Sequence, residues 1–227
     1  MRNPKTKAFT LIELLVVIAI VATLLAIVTP ALRRASQQAT LVAVNADLRQ
    51  IALALNAYHL DHNTCPPTRE DCQTGSLDEH LFQLPDELTA EHYLPGTDPT
   101  DPMAALVEDR FHPGRTYKYR SVGQVIRDRG RIHPSIRSRL WVPDGFPACS
   151  TIEEERGQWY SEPDTSPVQW TLFSVGPKFD PQQVRQHVAN RYPVPRQTWF
   201  NPEQKQGFIV RMRLKNGNEI GSFEGHR

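Results

Sequence analysis

The usual marks of enzymes and cofactor proteins are missing from these 227 residues. There is no Gly-x-Ser-x-Gly elbow, no glycine-rich phosphate loop, no His-Glu-x-x-His and no Cys-x-x-Cys. Serine, histidine and aspartate occur, but in no arrangement that reads as a triad. No catalysis is therefore expected. An excess of charge is missing too. Lys and Arg number 26 and Asp and Glu 25, a formal net charge of +1. That is too neutral for a dedicated binder of phosphate backbones. With 39% hydrophobic and 22% charged residues, the chain is also too balanced for a disordered tail. Repeats and low-complexity tracts are absent, and cysteine is scarce, at three residues. The length suits one domain with an appendage.

What is present is unevenly distributed. From Phe9 to Leu32, 19 of 24 residues are hydrophobic. The remainder falls below the globular norm. Prolines lie elsewhere: 17 of 19 fall between Pro66 and Pro202. A proline costs about 3 kcal/mol inside a helix, so long helices and an all-α bundle are excluded from that region.

The first seven residues carry Arg2, Lys5 and Lys7 and no acid. From Leu14 to Leu32 there are 19 residues without a charge. At a rise of about 1.5 Å per residue this nearly crosses a ~30 Å hydrocarbon layer. A secretory signal peptide would look similar, but this apolar run is long for one and Thr29-Pro30-Ala31 makes a poor cleavage site. Neither a signal peptide nor a plain anchor explains Glu13. A charge at the centre of a membrane helix costs about 2.5–3.5 kcal/mol, and less near the end. Such a carboxylate favours a partner. A cut between Ala8 and Phe9 would create one, a new α-amino group on Phe9, four residues before Glu13 on the same helix face. Glu13 could pair with its own amine or with that of a neighbouring helix. Basic residues on both sides of the span, Arg33 and Arg34 after it, give a small margin for a cytoplasmic N-terminus.

The basic leader, Ala8, then Phe9-Thr-Leu-Ile-Glu13-Leu and an unbroken apolar run resemble the class III signal of type IV pilins and type II secretion pseudopilins. The resemblance implies that a membrane-embedded prepilin peptidase cuts between Ala8 and Phe9 and N-methylates Phe9. It implies that Glu13 is the assembly glutamate and that the N-terminus is cytoplasmic. Glycine is usual where Ala8 stands; alanine is small enough for processing. Pro30 also fits the family. Physically it removes the hydrogen bond to the Ala26 carbonyl and kinks or loosens the helix.

From Ala31 to about His62 the helical pattern continues. Leu41, Val44, Leu48, Ile51, Leu55 and Tyr58 form one apolar stripe, with Arg34, Gln38, Asp47 and Arg49 off it. The stripe predicts packing on a sheet. Asp61 to Pro67 ends the helix. After a proline- and acid-rich stretch, Cys65 to Asp101, with a weak helical patch at Leu77 to Leu84, strands are predicted. They cover Arg115 to Val122, Arg139 to Val142, Val168 to Val175 and Phe208 to Leu214. Lys215-Asn216-Gly217-Asn218 then turns a hairpin into Glu219 to Phe223. In the last long strand Phe208, Val210, Met212 and Leu214 share one face, and Arg211 and Arg213 the other.

Short patterns in this region look like those of major pseudopilins of type II secretion: Tyr58, Asp61 and Pro66-Pro67; Tyr93-Leu94-Pro95; Asp101-Pro102; Tyr117-Lys118-Tyr119; and Ser174-Val-Gly-Pro177. Insertions around Phe111–Gly114 and Gln124–Trp170 do not fit a compact member. In that family the last turn often leads to acidic residues that hold calcium. Here Lys178-Phe179-Asp180-Pro181-Gln182-Gln183 offers one carboxylate, too few for an ion that wants six to eight oxygens. No calcium site of that type is expected.

His59, His62, Cys65 and Cys72 are zinc-like ligands, but two cysteines seven apart outside the cytoplasm more often pair. A Cys65–Cys72 disulfide is the expectation, with Cys149 left over and buried or paired with either, and no metal. Arg120, Arg127, Arg129, Arg131, Arg137 and Arg139, with Tyr117, Tyr119 and Trp141 nearby, could suit single-stranded DNA. The near-zero net charge favours a solvated loop, or a face that meets Glu153-Glu154-Glu155 of this or another subunit.

The expected fold is therefore α+β and pilin-like: a long N-terminal helix packed on a small antiparallel sheet. The expected organisation is a removed leader, 1–8; a transmembrane and assembly helix, 9–32; an amphipathic helix, 33–62; and a periplasmic domain, 63–227. The expected function is structural. The chain is read as a subunit of a type II secretion pseudopilus, anchored in the inner membrane. Its partners are prepilin peptidase and other pilin-like subunits. It needs no cofactor and no nucleic acid. A type IV pilus subunit for adhesion or DNA uptake and an anchored periplasmic binding protein are the alternatives.

Overall fold

A computed structural model describes residues 10–69, 81–95, 107–127, 131–150, 153–178 and 191–223. The chain divides into two units, Met1–Val42 and Ala43–Arg227. One helix, α1, Leu11–His62, supplies residues to both.

In the first unit α1 is long and apolar enough to cross a membrane, and none of its apolar window is buried. Leu14, Val17, Val21, Leu24 and Val28 all lie exposed. The helix continues through Pro30. Hydroxyls supplement the backbone ladder: Thr23 Oγ1 donates to the Ile20 carbonyl at 2.8 Å and Thr29 Oγ1 to the Leu25 carbonyl at 2.7 Å. Such back-bonding hides a polar group that hydrocarbon would otherwise meet.

In the second unit the predicted stripe is buried. Val44, Leu48, Ile51, Leu55 and Tyr58 are all core residues, joined by Ala52 and Ala54. Full burial of each aliphatic side chain contributes roughly 1.5–3 kcal/mol. Asp47, read from the pattern as off the stripe, is buried with them. The helix stops at Asn63, which takes φ 54° while its N–H donates to the His59 carbonyl at 2.8 Å. Asparagine tolerates this left-handed conformation, and the bond caps the last turn.

Among the described residues three small sheets follow. β2 (Lys118–Ser121), β7 (Val168–Ser174), β8 (Ile209–Leu214) and β9 (Glu219–Gly221) form a four-stranded antiparallel sheet in the order β2-β7-β8-β9. β1 (Thr68–Arg69), β3 (Gly123–Arg127) and β4 (Arg131–Ser138) form a second, with β1 parallel to β3 and β3 antiparallel to β4. β5 (Leu140–Pro143) and β6 (Gly157–Tyr160) pair antiparallel. A single helical turn, α2, spans Glu87–Ala90, and the described residues also include two short 3-10 turns. The arrangement is α+β, as expected. The Asn216-Gly217 turn joins β8 to β9, with Gly217 at φ 85° and its N–H on the Leu214 carbonyl.

The four-stranded sheet is covered on both faces. Tyr117, just before β2, reaches α1 through its hydroxyl, and Arg213 on β8 bonds the side chain of Asn56 on α1. The face toward the helix is therefore the one that carries Arg211 and Arg213. The apolar face of the same strand, Val210, Met212 and Leu214, packs instead with Leu81, Phe82, Leu140, Val142, Phe173, Tyr192 and Val194. Strand alternation predicted the two faces, but burial covers both, and Arg211 is only 6% exposed.

The basic region from Arg120 to Arg139 is not the solvated loop that its charge suggested. It contains β2's end, β3 and β4, with a register shift between Gln124 and Ile126. Pro134 lies within β4, which pairs on one side only, where a missing N–H breaks no ladder. Of the weak helical patch at 77–84, only residues 81–84 lie within the described residues, and only Leu81 is helical.

Candidate assembly site

Ala8 and Phe9 lie outside the described residues, which begin at Thr10. Glu13 sits in the first turn of α1. Its Oε2 accepts the Thr10 backbone N–H at 2.9 Å and the Thr10 hydroxyl at 2.8 Å. The Glu13 N–H donates back to Thr10 Oγ1 at 3.3 Å. This is a capping box: Thr at the start, an acid three residues later, each satisfying the other's backbone donor. Thr10 was not singled out from the sequence, although Thr-x-x-Glu is a readable capping pattern. Both bonds fall on one carboxylate oxygen. Among the described residues, Oε1 of Glu13 takes part in none.

The second unit holds α1 through polar contacts made inside its own core. Arg110 grips Asp47 by two bonds, Nε to Oδ2 at 2.6 Å and Nη2 to Oδ1 at 3.0 Å. Tyr117 donates to the same Oδ2 at 2.9 Å. Burial, with the nearby Asp109 and Asp47 charges, pushes the Tyr117 phenol far up, so it stays a donor. Asp109, fully buried, accepts the Ser174 hydroxyl at 2.7 Å and the Phe111 N–H at 3.0 Å. Burial raises its carboxyl above the ordinary range, against the pull of those bonds.

Ser174 begins the Ser-Val-Gly-Pro turn singled out from the sequence. Its Oγ also accepts the Gly176 N–H at 3.1 Å, and the Gly176 carbonyl lies 3.0 Å from His112 Nε2. Gly176 takes φ 76°, and a Cβ there would strike the Gly207 carbonyl. Only glycine fits both demands.

The end of α1 is clasped by the segment around Tyr93. Tyr93 donates to Asp61 at 2.6 Å, His62 lies 2.7 Å from Glu91, and the Tyr58 ring stacks on His62 at 4.1 Å. His59 instead lies 4.0 Å from Cys65 Sγ. The two histidines thus turn to different partners rather than converge on one ion. Cys72 lies outside the described residues, as do Asp101-Pro102 and the Phe179–Gln183 turn. Cys65 and Cys149 are free thiols. Burial pushes Cys65 up to about 11. Of the DNA-like constellation, Tyr117, Tyr119, Arg120 and Trp141 are buried, Arg127, Arg131, Arg137 and Arg139 are exposed, and Arg129 lies outside the described residues.

Comparison with known proteins agrees with the N-terminal geometry. Residues 3–29 match the prokaryotic N-terminal methylation motif. Over 70 residues the chain is 36% identical to the type II secretion system core protein G of Pseudomonas aeruginosa, covering 31% of this chain and 49% of that protein. The chain thus spans about half the length of the curated relative it matches. No solved structure matches it.

Proposed function

We propose that this chain is a structural subunit of the pilin and pseudopilin kind, and that it assembles into the pseudopilus of a type II secretion system. The peptidase cuts between Ala8 and Phe9 and methylates the new amine. The helix 9–32 holds the subunit in the inner membrane, as a single N-terminal apolar helix suits. The residues from 63 onward stand in the periplasm. On assembly, Glu13 pairs with the Phe9 amine of a neighbouring subunit, setting the axial register between helices. Pro30 supplies a weak point where the helix can bend without losing a bond it would otherwise make. In the oxidising periplasm the Cys65 thiol, free in the structure, pairs with Cys72 and closes the loop after the helix.

The observation that carries this reading is Glu13 itself. It is the single carboxylate of the apolar run, and its Oε1 is uncommitted among the described residues while Thr10 holds Oε2. A cation can therefore be accepted without dismantling the cap. The secretion assignment rests on the likeness to the core protein G.

The test is mass spectrometry of the N-terminal peptide from membranes of the native host, paired with Glu13→Gln. The reading expects a peptide that starts at N-methylated Phe9, and a Gln variant that reaches the membrane but not the assembled complex. A retained Met1, or a cut beyond the apolar run, would sink it. Sheared surface fibres that contain the chain would move it from secretion to a pilus.

A further inference from the structure

The β5–β6 hairpin carries two tryptophans on the face turned away from the core. Leu140 and Val142 point into the core, with Tyr160 packed against it. By alternation Arg139, Trp141 and the paired Trp159 take the opposite face. There the two indoles meet edge to face at 5.8 Å. The Arg139 guanidinium lies over Trp159 at 4.8 Å, and that of Arg191 over Trp141 at 4.0 Å. The result is a row, Arg139–Trp159–Trp141–Arg191.

This row is rich in donors. Among the described residues neither guanidinium has an ion pair or a side-chain hydrogen bond. The Trp141 Nε1–H is buried, so the donors the row presents to a partner are the two guanidiniums. A guanidinium placed over an indole keeps N–H groups that can fork onto a carboxylate.

We propose that this row is a docking site for an acidic protein segment, read through the carboxylates of its side chains. The site is independent of assembly through α1. Charge placement favours a short acidic segment over a nucleic acid. Glu153 and Glu155, on the 3-10 turn beside β5, and Glu162 and Asp164, just after β6, are all exposed. A long polyanion would have to run across them. A few carboxylates can settle on the row alone.

The experiment uses the full chain in detergent micelles. A labelled triglutamate peptide and a labelled oligo-dT strand are titrated separately, and binding is read by anisotropy. The wild-type chain binds the peptide and prefers it to the oligonucleotide. Arg139→Gln and Arg191→Gln each weaken peptide binding at least five-fold. Arg191→Lys, which keeps the charge but loses the forked guanidinium, weakens it too. Thermal unfolding checks each variant; if Arg191→Gln loses the fold, the exposed Arg139→Gln decides. No peptide binding by the wild type, tighter binding of the oligonucleotide, or a folded Arg139→Gln that binds as well as the wild type would each overturn the proposal.

Discussion

Arg110 holds Asp47 by two near-parallel bonds, 2.6 and 3.0 Å, although 63 residues separate them. The aspartate lies among the buried Val44, Leu48 and Ile51 of α1, and Tyr117 shares its Oδ2. Asp47→Ala removes the acceptor and strands the Tyr117 hydroxyl in the interior. An unsatisfied buried donor costs about 1–3 kcal/mol. The Arg110 side chain is itself half-exposed, so its own share is small. The expected result is a fall in Tm of roughly 3–8 °C for a unit of this size, with Asp47→Asn closer to wild type. Calorimetry of the micelle-bound chain checks this.

Gly176→Ala should cost more than its one methyl group suggests. The left-handed conformation alone costs about 1–2 kcal/mol for an L-residue. The added Cβ also strikes the Gly207 carbonyl. The Ser174–Asp109 bond sits at the same turn, so the variant should unfold at distinctly lower denaturant. A midpoint equal to wild type would show that the turn relaxes freely.

Glu87 gives the second unit a pH dependence of stability. Burial, helped by Asp86 and Glu91, raises its carboxyl to about 7. Below about pH 4 the group is protonated whether folded or unfolded, and no penalty arises. Between there and about 7 the folded state holds the proton and the unfolded state does not. Stability therefore falls as pH rises across this window, and levels off above it. Urea titrations at pH 5 and pH 8 should show that fall, and Glu87→Gln should flatten it.

Thr10→Val should loosen the start of α1 while leaving Glu13 in place. It removes the hydroxyl of the capping box, worth about 0.5–2 kcal/mol. Amide exchange in micelles should quicken over the first turn only. Assembly should survive, since the proposed neighbour's amine addresses the carboxylate rather than the hydroxyl.

When Cys65 is reduced, it should alkylate slowly. With its thiol raised to about 11, little thiolate exists at pH 8. Labelling by iodoacetamide at least ten-fold slower than for a free cysteine is expected. A non-reducing peptide map of the native protein, with Cys65 linked to Cys72, would confirm the proposed disulfide.

Much was legible in the sequence because its cause is local. A helix repeats every 3.6 residues, so Val44, Leu48, Ile51, Leu55 and Tyr58 declared a buried stripe by spacing alone. A charge in an apolar run is costly wherever the chain goes, so Glu13 stood out without any structure. Asn216-Gly217 supports positive φ, so the hairpin was readable too. What tertiary structure decided depends on partners far apart in the chain. Asp47 read as off the apolar stripe, and only its pairing with Arg110 and Tyr117 explains its burial. Asn56 meets Glu219 at a separation of 163 residues. Alternation put Arg211 and Arg213 on the face opposite the apolar one, but not what covers it: a helix carrying Asn56 lies on their side and a second core on the other. Trp159 gained meaning only when β6 paired with β5 and set it beside Trp141. Periodicity tells which side of an element is apolar. Which neighbour covers each side is settled only by long-range packing, where a buried charge is stable if, and only if, its partner is delivered to it.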